Sequence, residues 1–173
     1  ITLDRVWKLK TGEQESHFTY TYDDQNKVLD EVSYDANGSV LQTIATTVNA
    51  KGHKVITTIP GRKEDAYLLN TKSRIYLNDT VLIEKINYRA GKHNTSETFT
   101  YHPNGVKKNQ TSYRGEKTIP VSEFRFDDKG QKVLSIRYNN AGKPQTKIEI
   151  TYNEKGEETN RKIFENGDEL TRE

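Results

Sequence analysis

The sequence predicts an all-β protein, an antiparallel β-meander of about thirteen short strands built from tandem hairpin repeats. Two observations carry that expectation. A turn signature recurs at intervals of roughly 12–14 residues: an aromatic or β-branched residue, then Asp or Asn, then one to three polar residues, then Gly. Between signatures, apolar and polar residues alternate with period two, as a half-buried strand requires, and no segment offers an amphipathic helix to cover a sheet.

The clear copies are Tyr34-Asp35-Ala36-Asn37-Gly38, Val48-Asn49-Ala50-Lys51-Gly52, Tyr101-His102-Pro103-Asn104-Gly105, Phe126-Asp127-Asp128-Lys129-Gly130, Tyr138-Asn139-Asn140-Ala141-Gly142, Tyr152-Asn153-Glu154-Lys155-Gly156 and Phe164-Glu165-Asn166-Gly167. Shorter variants begin at Tyr88 and Tyr113, and Tyr22-Asp23-Asp24-Gln25-Asn26 has Asn in the glycine position. Gly, and less readily Asn, accepts the positive φ of a tight reversal, while the leading Asp or Asn can accept a hydrogen bond from a backbone N–H two residues on. The leading aromatic then ends the incoming strand, where a ring covers the turn and packs on its neighbour.

Taken in order, residues 1–9 read as a further strand or an edge-covering segment. Phe18, Tyr20 and Tyr22 share one parity, Val28, Val32 and Tyr34 another strand's face, and Val40, Ile44 and Val48 a third. Residues 60–79 are the least regular. There 64–70 fits a strand or a short helical turn, with strand preferred. Leu82, Ile86 and Tyr88 resume the pattern, followed by Phe99 and Tyr101, by Leu134, Ile136 and Tyr138, and by Ile148, Ile150 and Tyr152. Ile119 and Val121 fall out of phase with Phe124 and Phe126, which predicts a β-bulge near Ser122. With strands ~4.8 Å apart such a sheet would run ~60 Å, so an elongated, curved or rolled single sheet with a shallow Tyr-rich face is expected.

Composition sets limits. With 31% hydrophobic and 30% charged residues, the 173-residue chain fits one β-repeat domain over 1–173 with a thin core. Ten Tyr, five Phe and the period-two patterning argue against disorder. A net charge of +2 with interleaved signs gives no basic stripe for nucleic acid. The absence of Cys removes disulfides and thiolate chemistry. No run approaches the ~18 apolar residues of a membrane-spanning helix. Because the chain starts at Ile1 and lacks Met, removal of an upstream segment such as a signal peptide is expected.

Tyr22-Asp23-Asp24-Gln25-Asn26 and Tyr34-Asp35-Ala36-Asn37-Gly38 resemble YD repeats of the RHS type, and Tyr101-His102-Pro103-Asn104-Gly105 with its successors resembles the MORN-like repeats of antitoxin-type bacterial proteins. The likeness covers most of the chain. It implies a bacterial secreted, periplasmic or envelope-associated repeat protein, of a kind found in gut Bacteroidetes. The chain lacks the shell-forming length of true RHS proteins, so it does not fit encapsulation of a cargo.

No constellation reads as a catalytic or metal site, and no cofactor is implied. His17, His53, His93 and His102 lie in different strands or turns and read as surface histidines. Asp23-Asp24 and Asp127-Asp128 read as Asx turns rather than calcium loops. No Gly-x-Ser-x-Gly turn is present. Sequons start at Asn37, Asn78, Asn94 and Asn109 and read as coincidental. The remaining signal is aromatic: Tyr22, Tyr34, Tyr88, Tyr101, Tyr113, Phe126, Tyr138, Tyr152 and Phe164, above the turn glycines Gly38, Gly52, Gly105, Gly130, Gly142, Gly156 and Gly167, form either the core or a face for a protein or glycan. The function expected is non-enzymatic binding or scaffolding. The alternatives are an immunity-like partner of a toxin and a hydrolase with a site invisible in sequence.

Overall fold

The structure, a computed structural model, describes residues 1–8, 14–61, 71–116, 118–166 and 169–172. The chain divides into two compact units, Ile1–His93 and Asn94–Glu173. The strands of the first are β1 (Thr2–Lys8), β2 (Gln14–Tyr22), β3 (Val28–Tyr34), β4 (Val40–Val48), β5 (Lys54–Pro60), β6 (Lys72–Leu77) and β7 (Val81–Arg89). From Lys92 follow β8 (Lys92–Tyr101), β9 (Lys107–Arg114), β10 (Ile119–Phe126), β11 (Lys132–Tyr138), β12 (Pro144–Tyr152), β13 (Glu158–Glu165) and β14 (Glu169–Arg172). Within each unit the strands pair antiparallel in chain order, and among the described residues no pairing closes a barrel. The all-β meander is therefore what the chain forms. Strands β2 to β14 fall between the reversals read from sequence, and the opening segment supplies β1. The alternatives weighed for 64–70, and Gly167, lie outside the described residues.

The turns repeat one construction. Asp35 Oδ1 accepts from the N–H of Asn37 and of Ser39, both at 2.9 Å, while the Asp35 N–H donates to Ser39 O and the Gly38 N–H to Asp35 O. Asp23, Asn49, Asp127 and Asn139 do the same in their turns. Gly38 sits at φ +80°, and Asn26, in the equivalent place, at +61°. The Asx turn forecast from sequence thus carries a second hydrogen bond, four residues on, that closes the loop.

A further feature accompanies these turns. At Tyr22, Tyr34, Tyr101, Phe126, Tyr138 and Tyr152 the register shifts by one residue just inside the hairpin. Tyr22 pairs with Val28 but Thr21 with Asp30, so Leu29 is an extra residue on the outgoing strand. The bulge expected near Ser122 is also present: Pro120 pairs with Tyr113 and Ser122 with Ser112, leaving Val121 unpaired.

These bulges decide which face each strand's apolar set occupies. Without the shift at Leu29, Val32 would pair on the side of Tyr20; with it, Val32 opposes Thr19 and Tyr34 opposes His17, so both lie on the face opposite Phe18, Tyr20 and Tyr22. Val28 stays with Tyr22. The expectation that Val28, Val32 and Tyr34 share a face is corrected by that bulge, and Val40 is separated from Ile44 and Val48 by the same device. Leu82 is likewise separated from Ile86 and Tyr88, because Leu82 pairs with Tyr76 while Ile86 pairs with Ser73 after the shift at Ile75/Tyr76. A single Tyr-rich face therefore does not form.

In the second unit Phe99, Gln110, Phe124, Ser135, Ile148 and Ile163 stand opposite one another in a row on one face, and Leu134, Ile136 and Tyr138 occupy the other. Both faces stay partly wet. Only Phe99 (8% exposed) and Ile150 (7%) are buried apolar residues among those described. Lysine stems cover the rings in place of a second layer. The Lys107 ammonium lies 5.8 Å from the Phe99 ring and 5.0 Å from Phe126, Lys132 lies 4.7 Å from Phe124, and Lys147 lies 4.6 Å from Phe164 on the opposite face.

Candidate binding surface

All nine aromatics singled out from sequence, from Tyr22 to Phe164, are half-buried. Neither of the two sequence readings, closed core or free ligand face, describes them. The structure does not gather them into one place, because they alternate between faces from strand to strand. The turn glycines lie at the strand ends and put φ near +80° where the reversal needs it, as at Gly105 (+83°) and Gly130 (+86°).

The histidines stay apart. His17 stacks on Tyr34 with centroids 4.9 Å apart and lies 3.6 Å from Asp4; His93 stacks on Tyr88; His102 Nε2 is 2.8 Å from Phe126 O. Among the described residues no three His, Cys, Asp or Glu side chains gather to hold a metal ion. Asp23 and Asp127 each commit one carboxylate oxygen to two backbone N–H groups of their own turns.

Exposed apolar residues concentrate in the first unit, where Ile1, Leu3, Val6, Val28, Leu29 and Val48 are among them. Register shows how several assemble. On the face that carries Tyr20, here the front face, Leu3 stands opposite Tyr20, Arg5 opposite Phe18, and Val28 opposite Tyr22. Ile1 joins Tyr22 through backbone hydrogen bonds in both directions. Phe18, Tyr20 and Tyr22 run down β2 as a file of rings with centroids 6.5 Å apart at each step, and the Arg5 guanidinium lies 5.9 Å from the Tyr20 ring.

Period-two spacing places these rings on one side of one strand, where they stay half-buried beside the more exposed Ile1, just ahead of β1, and Leu3 within it. Ile1 is 80% exposed and Leu3 41%. The result is a contiguous apolar strip over β1, β2 and the start of β3, with one guanidinium inside it, of the type that marks docking surfaces. The aromatic file was legible in the sequence. The contribution of Ile1 and Leu3 was not, because it depends on the β1–β2 register.

A recess of about 270 Å³ lies elsewhere in this unit, between the β4–β5 turn and β7, lined by Asn49, Lys51, His53, Ile75, Ile83 and Glu84. It falls below the 300–1,000 Å³ usual for small-molecule sites and fits one side chain of a larger partner better than a free substrate. Nearby, the Lys27 ammonium meets Asp79 at 3.3 Å. The β2–β3 and β6–β7 turns lie about 19 Å apart in a flat sheet, so this pair requires the turn-bearing edge of the first unit to curl.

In the second unit the most strongly perturbed group is Tyr138, while burial also raises the Tyr101 phenol, and the hydrogen-bonded pairing of Glu158 with Arg161 lowers the first and raises the second. Burial, and then a 3.0 Å hydrogen bond to Glu123, push the Tyr138 phenol up to about 12. That arrangement holds a neutral phenol against a carboxylate and supplies no nucleophile at neutral pH. No family model matches the chain, and no curated protein matches it.

Proposed function

We propose that the chain is a non-enzymatic binding or scaffold module that recognises a protein or glycan through the front face of its first unit. The observation that carries this is the apolar strip of Ile1, Leu3, Phe18, Tyr20, Tyr22 and Val28, half-covered by its own sheet and flanked by Arg5. An apolar ring with a polar tip suits partners that present both kinds of surface. The turn likeness to YD and MORN-like repeats favours a secreted or envelope-associated setting.

Binding to a panel of purified polysaccharides and proteins, measured by biolayer interferometry, tests the proposal. Leu3→Lys lies on the strip and Ile119→Lys is an exposed control in the other unit. A partner bound by the unaltered chain loses about tenfold or more in affinity with Leu3→Lys, at least 1.4 kcal/mol, and is unaffected by Ile119→Lys. Partners insensitive to Leu3→Lys would contradict the assignment to this face.

A further inference from the structure

We propose that the outer edge of β1, which no described strand pairs with, is a strand-addition site for an extended segment of another polypeptide carrying a Lys or Arg at its centre. This deepens the reading of the front face as a docking surface and rests on it.

The backbone supplies the first argument. The Tyr22 N–H donates to Ile1 O at 2.9 Å, and the Ile1 amine lies 3.4 Å from Tyr22 O, so Ile1 and Tyr22 form a hydrogen-bonded pair. In an antiparallel ladder such pairs alternate with pairs whose N–H and C=O groups point away. Leu3 and Arg5 therefore bond inward to Tyr20 and Phe18, while Thr2, Asp4 and Val6 turn their N–H and C=O groups outward. The edge offers three donors and three acceptors at strand spacing, a demand met by an extended peptide and by neither a glycan nor a lipid.

Side chains supply the second argument. Protected edges carry Lys, Pro or a bulge. In β1 the register break falls at Trp7/Lys8, which leaves Thr2 to Val6 regular. Leu3 (41% exposed) on the front face and Val6 (48%) on the back would flank an added strand on both sides, matching alternating β-branched residues.

Charge selects the occupant. Asp4 stands at the middle of the outward positions with its carboxylate largely exposed and His17 3.6 Å away on the inner side. Two-fold pairing of β1 with a second copy, in the register that uses Thr2, Asp4 and Val6 together, sets Asp4 directly against Asp4. Like charges opposite one another oppose that pairing, whereas a cation at the same place favours it.

The test uses the full chain and a short fluorescent peptide of alternating Val and Thr with one central Lys, followed by anisotropy. Asp4→Pro deletes an outward N–H that the fold itself does not use, a change sheet edges accommodate; circular dichroism checks that the variant stays β. The expected result is saturable binding that falls about tenfold or more in Asp4→Pro and in Asp4→Lys, with a central-Glu peptide recovering binding to Asp4→Lys. Unchanged binding to Asp4→Pro alongside loss in Leu3→Lys overturns the edge assignment and leaves the front-face proposal standing. Absence of binding at millimolar peptide, or β1-dependent dimers in sedimentation, overturns the edge assignment as well.

Discussion

At the scale of single residues, one side-chain oxygen organises each reversal. Asp35 Oδ1 accepts from two N–H groups of its loop, those of Asn37 and Ser39, and Gly38 takes the φ of +80° that lets Ser39 re-enter the ladder. Asp35→Ala is expected to cost about 1 kcal/mol, the net worth of such bonds, and Gly38→Ala about 1–2 kcal/mol from backbone strain alone. An added Cβ at Gly38 meets nothing within 4 Å, so the second effect isolates φ; urea unfolding of both variants checks the pair. Tyr138 makes a different prediction. Its folded pKa of about 12 stands above the ordinary 10.0, so its stabilising share is complete below pH ~10 and is lost as pH rises toward 12. The stability difference between the parent and Tyr138→Phe should therefore shrink across that window and stay constant below it.

At the scale of strands and hairpins, the sequence revealed existence and failed on facing. Outside the irregular stretch 60–79 that holds β6, the turn signature located the strands after β1, and the phase break between Val121 and Phe124 located a bulge, because turn chemistry and side-chain period are local properties. Which face Val32 and Tyr34 share with Tyr20 is not local. It depends on whether the hairpin after Tyr22 carries an extra residue, and Leu29 has nothing in its identity to mark it as bulged. Gly61 was silent for a similar reason. It lies outside the turn signature, yet its N–H donates to Leu41 O and a Cβ there would overlap the Val40 carbonyl and side chain across the ladder. Gly61→Ala should destabilise the β4–β5 pair by about 2 kcal/mol or more, since backbone rather than a flexible side chain has to move. Urea unfolding should show a larger effect there than for Gly38→Ala; equal effects would mean that β4 yields easily.

At the scale of the whole molecule, low apolar content and two-faced strands are one fact. Bulged hairpins send the apolar sets of neighbouring strands to opposite faces, so neither face of a unit accumulates enough apolar surface to demand a second layer. Lysine stems over Phe99, Phe124, Phe126 and Phe164 supply the partial cover that remains. The candidate surface is where that cover is thinnest, at β1 and β2, and only its aromatic half could be read from period-two spacing. The central claim is the alternation of faces within a unit. Hydroxyl-radical footprinting read residue by residue compares Tyr20 and Tyr22 on the front face of the first unit with Tyr34 and Tyr88 on its back. Partial and comparable modification of both pairs is the predicted result; strong modification of one pair with full protection of the other would contradict it, and would mean that one face is closed as a core.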